Sequence, residues 1–508
     1  MVGSVEKSWP FEQARALLKR VKGKPSVVFQ TGFGPSGAPH IGTFSEVVRT
    51  NMVRNAFEEI TEGKVDTHLI VFSDDFDGFR RRPLNMPESM DDDIGKPLSR
   101  VRDPDGVHQS FAARNNAALN NFLTELGIGY EFRSATECYE SGKFNRTLMA
   151  VAENYEEIKA IMLPTLGEER AATYSPFMPI SPVTGNVLAE GVLHVSPYGN
   201  VLFAAEDGER YETTVMDGQV KLQWKVDWAM RWAAFGVDYE MHGKDLLESA
   251  SASAKICKVI GGMSPLTYFF ELFLDDEGKK VSKSLGNGFS IEDWMRYSTL
   301  GPLSYYMFQS PRSAKNLGPS VVPRVTDDYL KALATYPKLV DPARHDSPVW
   351  HAHEGQPPSF ESDISYSLLI NLATVSGAKD SGTLFNYLSQ YRAISPKDRE
   401  MINQLVPGVI AYVNDQGEKK TGRAPTELEV TAFTALADKL ETMPDDLNGE
   451  EYQFWVYEIG KQYGFRPLRS WFQSIYEVLF GDEQGPRFGS FIAAYGRERS
   501  IALLRGIE

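Results

Sequence analysis

A histidine at the start of a helix and a distant loop of lysines and serines can together stabilise charge on a phosphorus centre under attack, and this chain of 508 residues carries both. The first lies in Thr31-Gly-Phe-Gly-Pro-Ser-Gly-Ala-Pro-His-Ile-Gly42. His40 can donate a hydrogen bond to a phosphate oxygen whose charge grows as phosphorus is attacked, or it can serve as a cap or ordinary loop residue. Glycines at 32, 34, 37 and 42 let backbone approach a ligand, and Pro35 and Pro39 stiffen the turn between them. Gly32 to Gly37 fits the bare spacing of the dinucleotide fingerprint, but the acid expected after the next strand arrives too late, at Asp74. The second element is Asp275-Asp-Glu-Gly-Lys-Lys-Val-Ser-Lys-Ser-Leu-Gly-Asn287. Lys279, Lys280 and Lys283 among Ser282, Ser284 and Gly286 form either a solvated charged turn or a clamp for a triphosphate tail.

Two further blocks supply polar groups. Asp74, Asp75 and Asp77 follow the strand His68 to Phe72; they suit an ammonium group or a metal, or pair with Arg80, Arg81 and Arg82 on a solvent-facing loop. In Lys221 to Asp245, Trp224, Trp228 and Trp232 recur every four residues, as on a packed helix face. Gly243-Lys-Asp245 follows a strand read over Val237 to Met241, and Asp245 there can accept hydrogen bonds from ribose hydroxyls.

The elements that must hold these groups alternate strand and helix. Phe11 to Val21 reads as a helix, Ser26 to Gln30 as a buried strand, Thr43 to Glu58 as a helix, and Met86 to Gly106 as a long loop. Gln109 to Leu126 is expected to be helical, Tyr130 to Arg133 a strand, Phe144 to Leu163 one long helix, and Tyr268 to Leu274 an apolar strand. Turn pairs between Tyr174 and Leu222 predict a small β-rich insertion, and beyond Pro311 only helical segments follow. The fold class is therefore α/β: a Rossmann-like parallel sheet with an insertion, then an all-α carboxyl-terminal domain. A formal charge of -15 gives no global basic field, so an RNA surface would be a local patch; Lys419 to Arg423 and Arg466 to Arg469 are candidates, or simply surface. Two cysteines exclude a disulfide framework. With no apolar signal core and no membrane span, a cytoplasmic protein is expected.

Pro-His-Ile-Gly42 with Lys280-Val-Ser-Lys-Ser284 resembles the HIGH and KMSKS signatures of class I aminoacyl-tRNA synthetases, with Thr43 for the final His and Val281 for Met. Trp224-x-Val-Asp-Trp-x-x-Arg-Trp232, Gly243-Lys-Asp245 and Asp74-Asp-x-Asp-Gly-x-Arg-x-x-Pro83 resemble the class I lysyl-tRNA synthetases over roughly residues 25 to 310. The resemblance implies a class I catalytic domain over 1–310, with its insertion at about 174–222, and a helical anticodon-binding domain over 311–508. It implies lysine, ATP with Mg²⁺, and tRNA(Lys) as substrates. His40, Lys280 and Lys283 would be catalytic. Gly34, Pro35, Pro39, Gly42, Gly243, Asp245, Ser282 and Ser284 would join them around ATP. Lysine would meet Thr31, Gly32, Trp228, His242, Tyr268 and one of Asp74, Asp75 or Asp77. Where related enzymes often carry a zinc knuckle this chain has Ser181-Pro-Val-Thr-Gly185, so no structural zinc is expected. The alternatives are a class I synthetase for another amino acid, such as glutamate, and a non-catalytic RNA-binding paralogue.

Overall fold

The computed structural model describes residues 5–83, 86–281, 289–376, 378, 380–391, 394–416, 422–444, 447–481, 483, 485 and 487–506. They form two compact units, one of residues 1–291 with 307–316 and one of 292–306 with 317–508.

The first unit begins with α1 (Trp9–Arg20), β1 (Ser26–Phe33), α2 (Ile41–Ile60), β2 (Asp66–Ser73), α3 (Phe111–Glu125) and β3 (Glu131–Ser134). Helices α4 (Ala135–Glu140), α5 (Asn145–Glu153), α6 (Tyr155–Met162) and α7 (Glu168–Thr173) lead to the insertion. There β4 (Phe177–Pro179) pairs antiparallel with β8 (Val220–Leu222), enclosing a meander of β5 (Val192–Val195), β6 (Asn200–Ala204) and β7 (Arg210–Thr214). The chain returns through α8 (Trp224–Phe235), β9 (Tyr239–Gly243), α9 (Leu247–Val259), β10 (Leu266–Phe270) and β11 (Phe273–Leu274).

The main sheet has the order β10-β9-β1-β2-β3, and every pair in it is parallel. Buried Val27 and Phe29 of β1 and Leu69 to Phe72 of β2 are the near-continuous apolar runs that a sheet covered on both faces requires. From β1 the chain crosses to β2 on one side and, much later, to β9 on the other. The crevice between the carboxyl ends of β1 and β9 is thus a topological switch point, where open α/β sheets bind ligands.

Several local expectations change. β1 runs to Phe33 rather than Gln30, because β2 pairs with it residue for residue from Ser26↔Asp66 to Phe33↔Ser73; Thr31 and Gly32 are strand, not turn. The helix expected over 144–163 is two, broken at Asn154, whose amide donates to the Ala150 carbonyl at 2.8 Å. The strand expected over 268–274 is also two, since Glu271 N–H turns to the Pro311 carbonyl at 2.9 Å and β11 pairs with Lys315–Asn316. The long loop over 86–106 contains two 3₁₀ turns and packs Met90, Leu98 and Val101 against Phe79 and Phe111.

The Ser181-Pro-Val-Thr-Gly185 turn is closed by hydrogen bonds: both hydroxyls donate to Glu206 at 2.7 Å, and Ser181 Oγ accepts from the N–H groups of Val183 and Thr184.

In the second unit the longer described helices run Val322–Thr335, Tyr366–Ser376, Ser381–Tyr391, Pro396–Gln416, Glu427–Glu441, Gly449–Gln462 and Arg469–Phe480. Capping boxes at Thr426 with Glu429 and at Asn448 with Glu451 start two of them. Trp471 is fully buried and donates to the Val456 carbonyl at 2.8 Å. Arg423, a candidate RNA contact from sequence, is committed instead to Glu429 at 2.6 Å and Glu477 at 2.7 Å; its neighbours Lys419 to Thr421 lie outside the described residues.

Candidate active site

Two turns meet at the switch point. The first, 34–40, rests on buried Pro35 and Pro39, and Asn115 of α3 donates to the Pro35 carbonyl at 2.8 Å. His40 is the N-cap of α2, and its Nδ1 accepts from the Thr43 N–H at 3.2 Å. A nitrogen that accepts carries no proton, so in the neutral ring the proton sits on Nε2, the nitrogen suited to donate to an anion. Capping and phosphate donation are not alternatives here, because each uses a different ring nitrogen. A Cβ at residue 42 would fall 2.5 Å from His40 Cε1 and 2.7 Å from Nδ1, so only glycine lets the ring lie this way.

The second turn follows β9. Gly243 sits under the Asp245 carboxylate, which a Cβ would meet at 2.5 Å, and Asp245 Oδ2 accepts from Lys280 Nζ at 3.1 Å. Lys280 forms an isolated bridge with Leu274, and Ser290, beyond the lysine–serine loop, forms another with His40. The described ends of that loop therefore stand at Asp245 and at His40. Ser282, Lys283 and Ser284 themselves lie outside the described residues.

The three aspartates after β2 separate into different roles. Asp75 accepts from Ser134 Oγ at 2.6 Å and from the Thr136 N–H at 2.8 Å, binding the end of β2 to the β3–α4 junction. It is committed to the fold and is set aside as an ammonium ligand. Asp74 instead pairs with Arg231 Nη1 at 2.8 Å and Asp77 with Lys221 Nζ at 3.1 Å. Neither pairs with Arg80 to Arg82, the partners that spacing offered; Arg82 meets Asp91 at 3.0 Å.

Lys221 and Arg231 also share the fully buried Asp227, at 2.8 Å and 3.4 Å, and Tyr139 donates its hydroxyl to the same carboxylate. Nearby, Glu240 accepts from Gln30 at 3.0 Å and from the Trp232 indole, while Glu46 of α2 accepts from the Gly32 N–H at 2.9 Å. Burial pushes Glu46 up to about 8, helped by Glu240 and Asp74, and burial pushes Asp74 up to about 7 against the pull of Arg231. Burial would raise Asp227 too, but Lys221 and Arg231 on either side outweigh it and hold that carboxyl below its usual range. Sequence reading passed over Glu46, Lys221, Asp227, Arg231 and Glu240 as site residues. The available signal was charge inside apolar runs, as in Phe44-Ser-Glu-Val-Val48 and Tyr239-Glu-Met-His242, because such groups are seldom buried unpaired.

Of the residues expected around the amino acid, Trp228 and His242 meet edge-on, with centroids 5.8 Å apart. Burial lowers the His242 pKa, so the ring is neutral; Nδ1–H donates to the Gly243 carbonyl at 2.8 Å and Nε2 is left as an acceptor. Thr31 is 1 % exposed, and its hydroxyl has no hydrogen-bond partner among the described residues. Tyr268 is in register with Met241 and so lies on the sheet face opposite His242, the face that Thr31 shares; it stacks on Trp9 at 5.7 Å beneath Arg312.

A switch point flanked by a histidine-capped helix on one side and a lysine–aspartate pair on the other is where an open α/β sheet binds its ligand. The chain belongs to the family tRNA synthetases class I (K), whose model matches residues 7–356. It is 44% identical over 507 residues to a lysine–tRNA ligase of Roseobacter denitrificans, covering 98% of this chain and 96% of that one. A lysine–tRNA ligase of Rickettsia bellii is 41% identical over 510 residues, covering 98% and 97%. A solved glutamate tRNA ligase from Elizabethkingia meningosepticum aligns with 95% of this chain and 99% of its own, at 11% identity and a TM-score of 0.36.

Proposed function

We propose that this protein is a lysine–tRNA ligase that activates lysine with MgATP and transfers it to the 2′-hydroxyl of the terminal adenosine of tRNA(Lys). Relatives of that name match nearly the whole chain. The observation that carries lysine specificity is an excess of acidic groups able to ionise against an arriving ammonium: among the described residues, Glu46, Asp74, Asp77, Asp227 and Glu240 are set against Lys221 and Arg231. A site with that surplus of carboxylates favours an amino acid with two ammonium groups and disfavours glutamate. Thr31, Gly32, Trp228 and His242 complete the lysine pocket in this reading, with Asp74 and Asp77 as its acids.

In the first step a lysine carboxylate oxygen attacks the α-phosphorus of ATP in line, the bond to the bridging oxygen breaks, and pyrophosphate leaves. Mg²⁺ enters on the phosphate oxygens as part of the substrate. His40 Nε2–H and Lys283 neutralise the α-phosphate as charge builds. Lys280, Ser282 and Ser284 hold the departing phosphates, and Gly243 and Asp245 hold the ribose. Because phosphoryl-type substitution needs positioning and charge neutralisation more than covalent help, these groups suffice. Lys280 meets Asp245 at 3.1 Å, so nucleotide binding exchanges that pair for ligand contacts. The expected site of action is the cytoplasm; among the described residues no helix is long and apolar enough to cross a membrane.

Pyrophosphate exchange measured separately with each of the twenty amino acids, with and without tRNA, tests the reading. Exchange with lysine alone is expected; exchange with glutamate, or none with any amino acid, would overturn it. A pH dependence follows as well. Glu46, at about 8, and Asp74, at about 7, must lose protons before they can oppose an ammonium group, so KM for lysine falls as pH rises from 6 to 8. Glu46→Gln should flatten the upper part of that profile and Asp75→Asn should leave it unchanged. A flat profile in the parent protein would contradict the assignment.

A further inference from the structure

We propose that Arg49 is a positioning residue for lysine activation, setting the helix headed by His40 against the strands that root the lysine–serine loop, an inference that rests on the ligase reading above. Arg49 lies on α2 and is 1 % exposed, although arginine is among the side chains least often buried. Its guanidinium reaches two elements at once. Within α2, Nη1 donates to Ser45 Oγ at 3.5 Å, and that hydroxyl donates to the Gly42 carbonyl at 2.9 Å. Gly42 is the residue whose missing Cβ lets the His40 ring lie as it does. Away from α2, Nε donates to the Met307 carbonyl at 2.9 Å, and the guanidinium carbon stands over the rings of Phe270 at 5.0 Å and Phe273 at 5.6 Å.

Those two rings bracket the corner between β10 and β11. The Phe273 carbonyl accepts from the Val281 N–H at 2.9 Å, and Leu274 is bridged to Lys280, so this corner carries one described end of the lysine–serine loop. Arg49 therefore joins, through one planar fork, the first turn of the His40 helix and the base from which Lys280 extends. Packing alone does not call for a cation here: a methionine would cover two phenylalanines without the desolvation cost that a buried guanidinium carries. What the fork adds is direction, because donors fixed in one plane hold a hydroxyl and a carbonyl in set places. Charge neutralisation at a phosphorus centre depends on such placement, since a shift of about 1 Å remote from the chemistry can cost on the order of 10²-fold in rate. Glu46, the acid of α2 assigned to the lysine pocket, has its own anchor in the Gly32 N–H at 2.9 Å and does not depend on this brace.

Lysine-dependent pyrophosphate exchange by the full-length Arg49→Met and Ser45→Ala variants, each made in the parent and in His40→Ala, tests this. In the parent, Arg49→Met should lower kcat by roughly 30-fold and Ser45→Ala, which cuts only the relay to Gly42, by about 5-fold, as for misplaced rather than deleted groups. KM for lysine should change by less than about twofold, because the Glu46 anchor is untouched. In His40→Ala each substitution should cost less than about twofold, because the group that the brace positions is already gone. A merely structural role gives the opposite result: a smaller folded fraction lowers the rate by the same factor in both backgrounds. Equal factors in the two backgrounds, or a parental kcat for Arg49→Met, overturn the inference. If Arg49→Met does not fold, Ser45→Ala decides by the same comparison. The parent run beside them separates the two readings: no exchange with lysine sinks the ligase assignment, whereas exchange with equal factors sinks only the role of Arg49.

Discussion

His40→Ala should slow lysine-dependent pyrophosphate exchange by about 10²- to 10³-fold, the range found when one preorganised donor to a developing oxyanion is removed. KM for lysine should stay within about twofold, because a group that acts on the α-phosphate in the transition state contributes little to ground-state lysine binding. His40 also caps α2 through Nδ1, so the same change should lower stability by about 1 kcal/mol. His40→Asn separates the two effects: asparagine is a good N-cap but has no donor in the position of Nε2. That variant should recover the stability and not the rate. If it recovered the rate, His40 would be a cap only. Gly42→Ala makes the complementary test, since its Cβ would overlap the ring at 2.5 Å and displace an imidazole that is still present.

The second large effect is on stability. Asp227→Ala should destabilise the protein by about 3–5 kcal/mol, read as a lower urea midpoint of tryptophan fluorescence. Asp227, Lys221 and Arg231 are each about 1% exposed, and removing the carboxylate leaves two buried cations with Asp74 and Asp77 as their remaining ion-pair partners among the described residues, and the Tyr139 hydroxyl without that acceptor. Against the 5–15 kcal/mol that typically separates folded from unfolded states, this is a large fraction. Asp227→Asn keeps an acceptor for Tyr139 and should lose less. A loss below about 1 kcal/mol for the alanine variant would mean that Asp74 and Asp77 compensate unaided.

The parts of this architecture that sequence makes visible are those whose physics is local. β1 and α2 announce themselves by a buried apolar run, a turn stiffened by proline and helical spacing after it, and the structure shifts their ends by only two or three residues. The aspartates after β2 are the opposite case. Which of them faces buried cations depends on Arg231, 157 residues from Asp74, and on Lys221, and nothing in the local run distinguishes Asp75 from its neighbours. Tyr268 shows a further limit. An apolar strand starting at it was legible, but its place within Leu266–Phe270 and the face it occupies are set by register against β9, and one residue decides between His242's side and Trp9's. Glu46 and Glu240 were visible only as acids out of keeping with their surroundings.

The adjacency of β1 and β9 also bears on how the protein is made. Phe29 pairs with Tyr239, and Gln30 reaches Glu240 across 210 residues of intervening chain. At translation speeds of roughly 5–20 residues per second, about 10 to 40 s separate the emergence of the first strand from that of its partner. Through that interval the nascent β1 has an unsatisfied edge, and the half-site around His40 has no Asp245 opposite it. Nucleotide recognition is therefore a late event in biosynthesis, because the two halves of the site come together only after β9 has emerged.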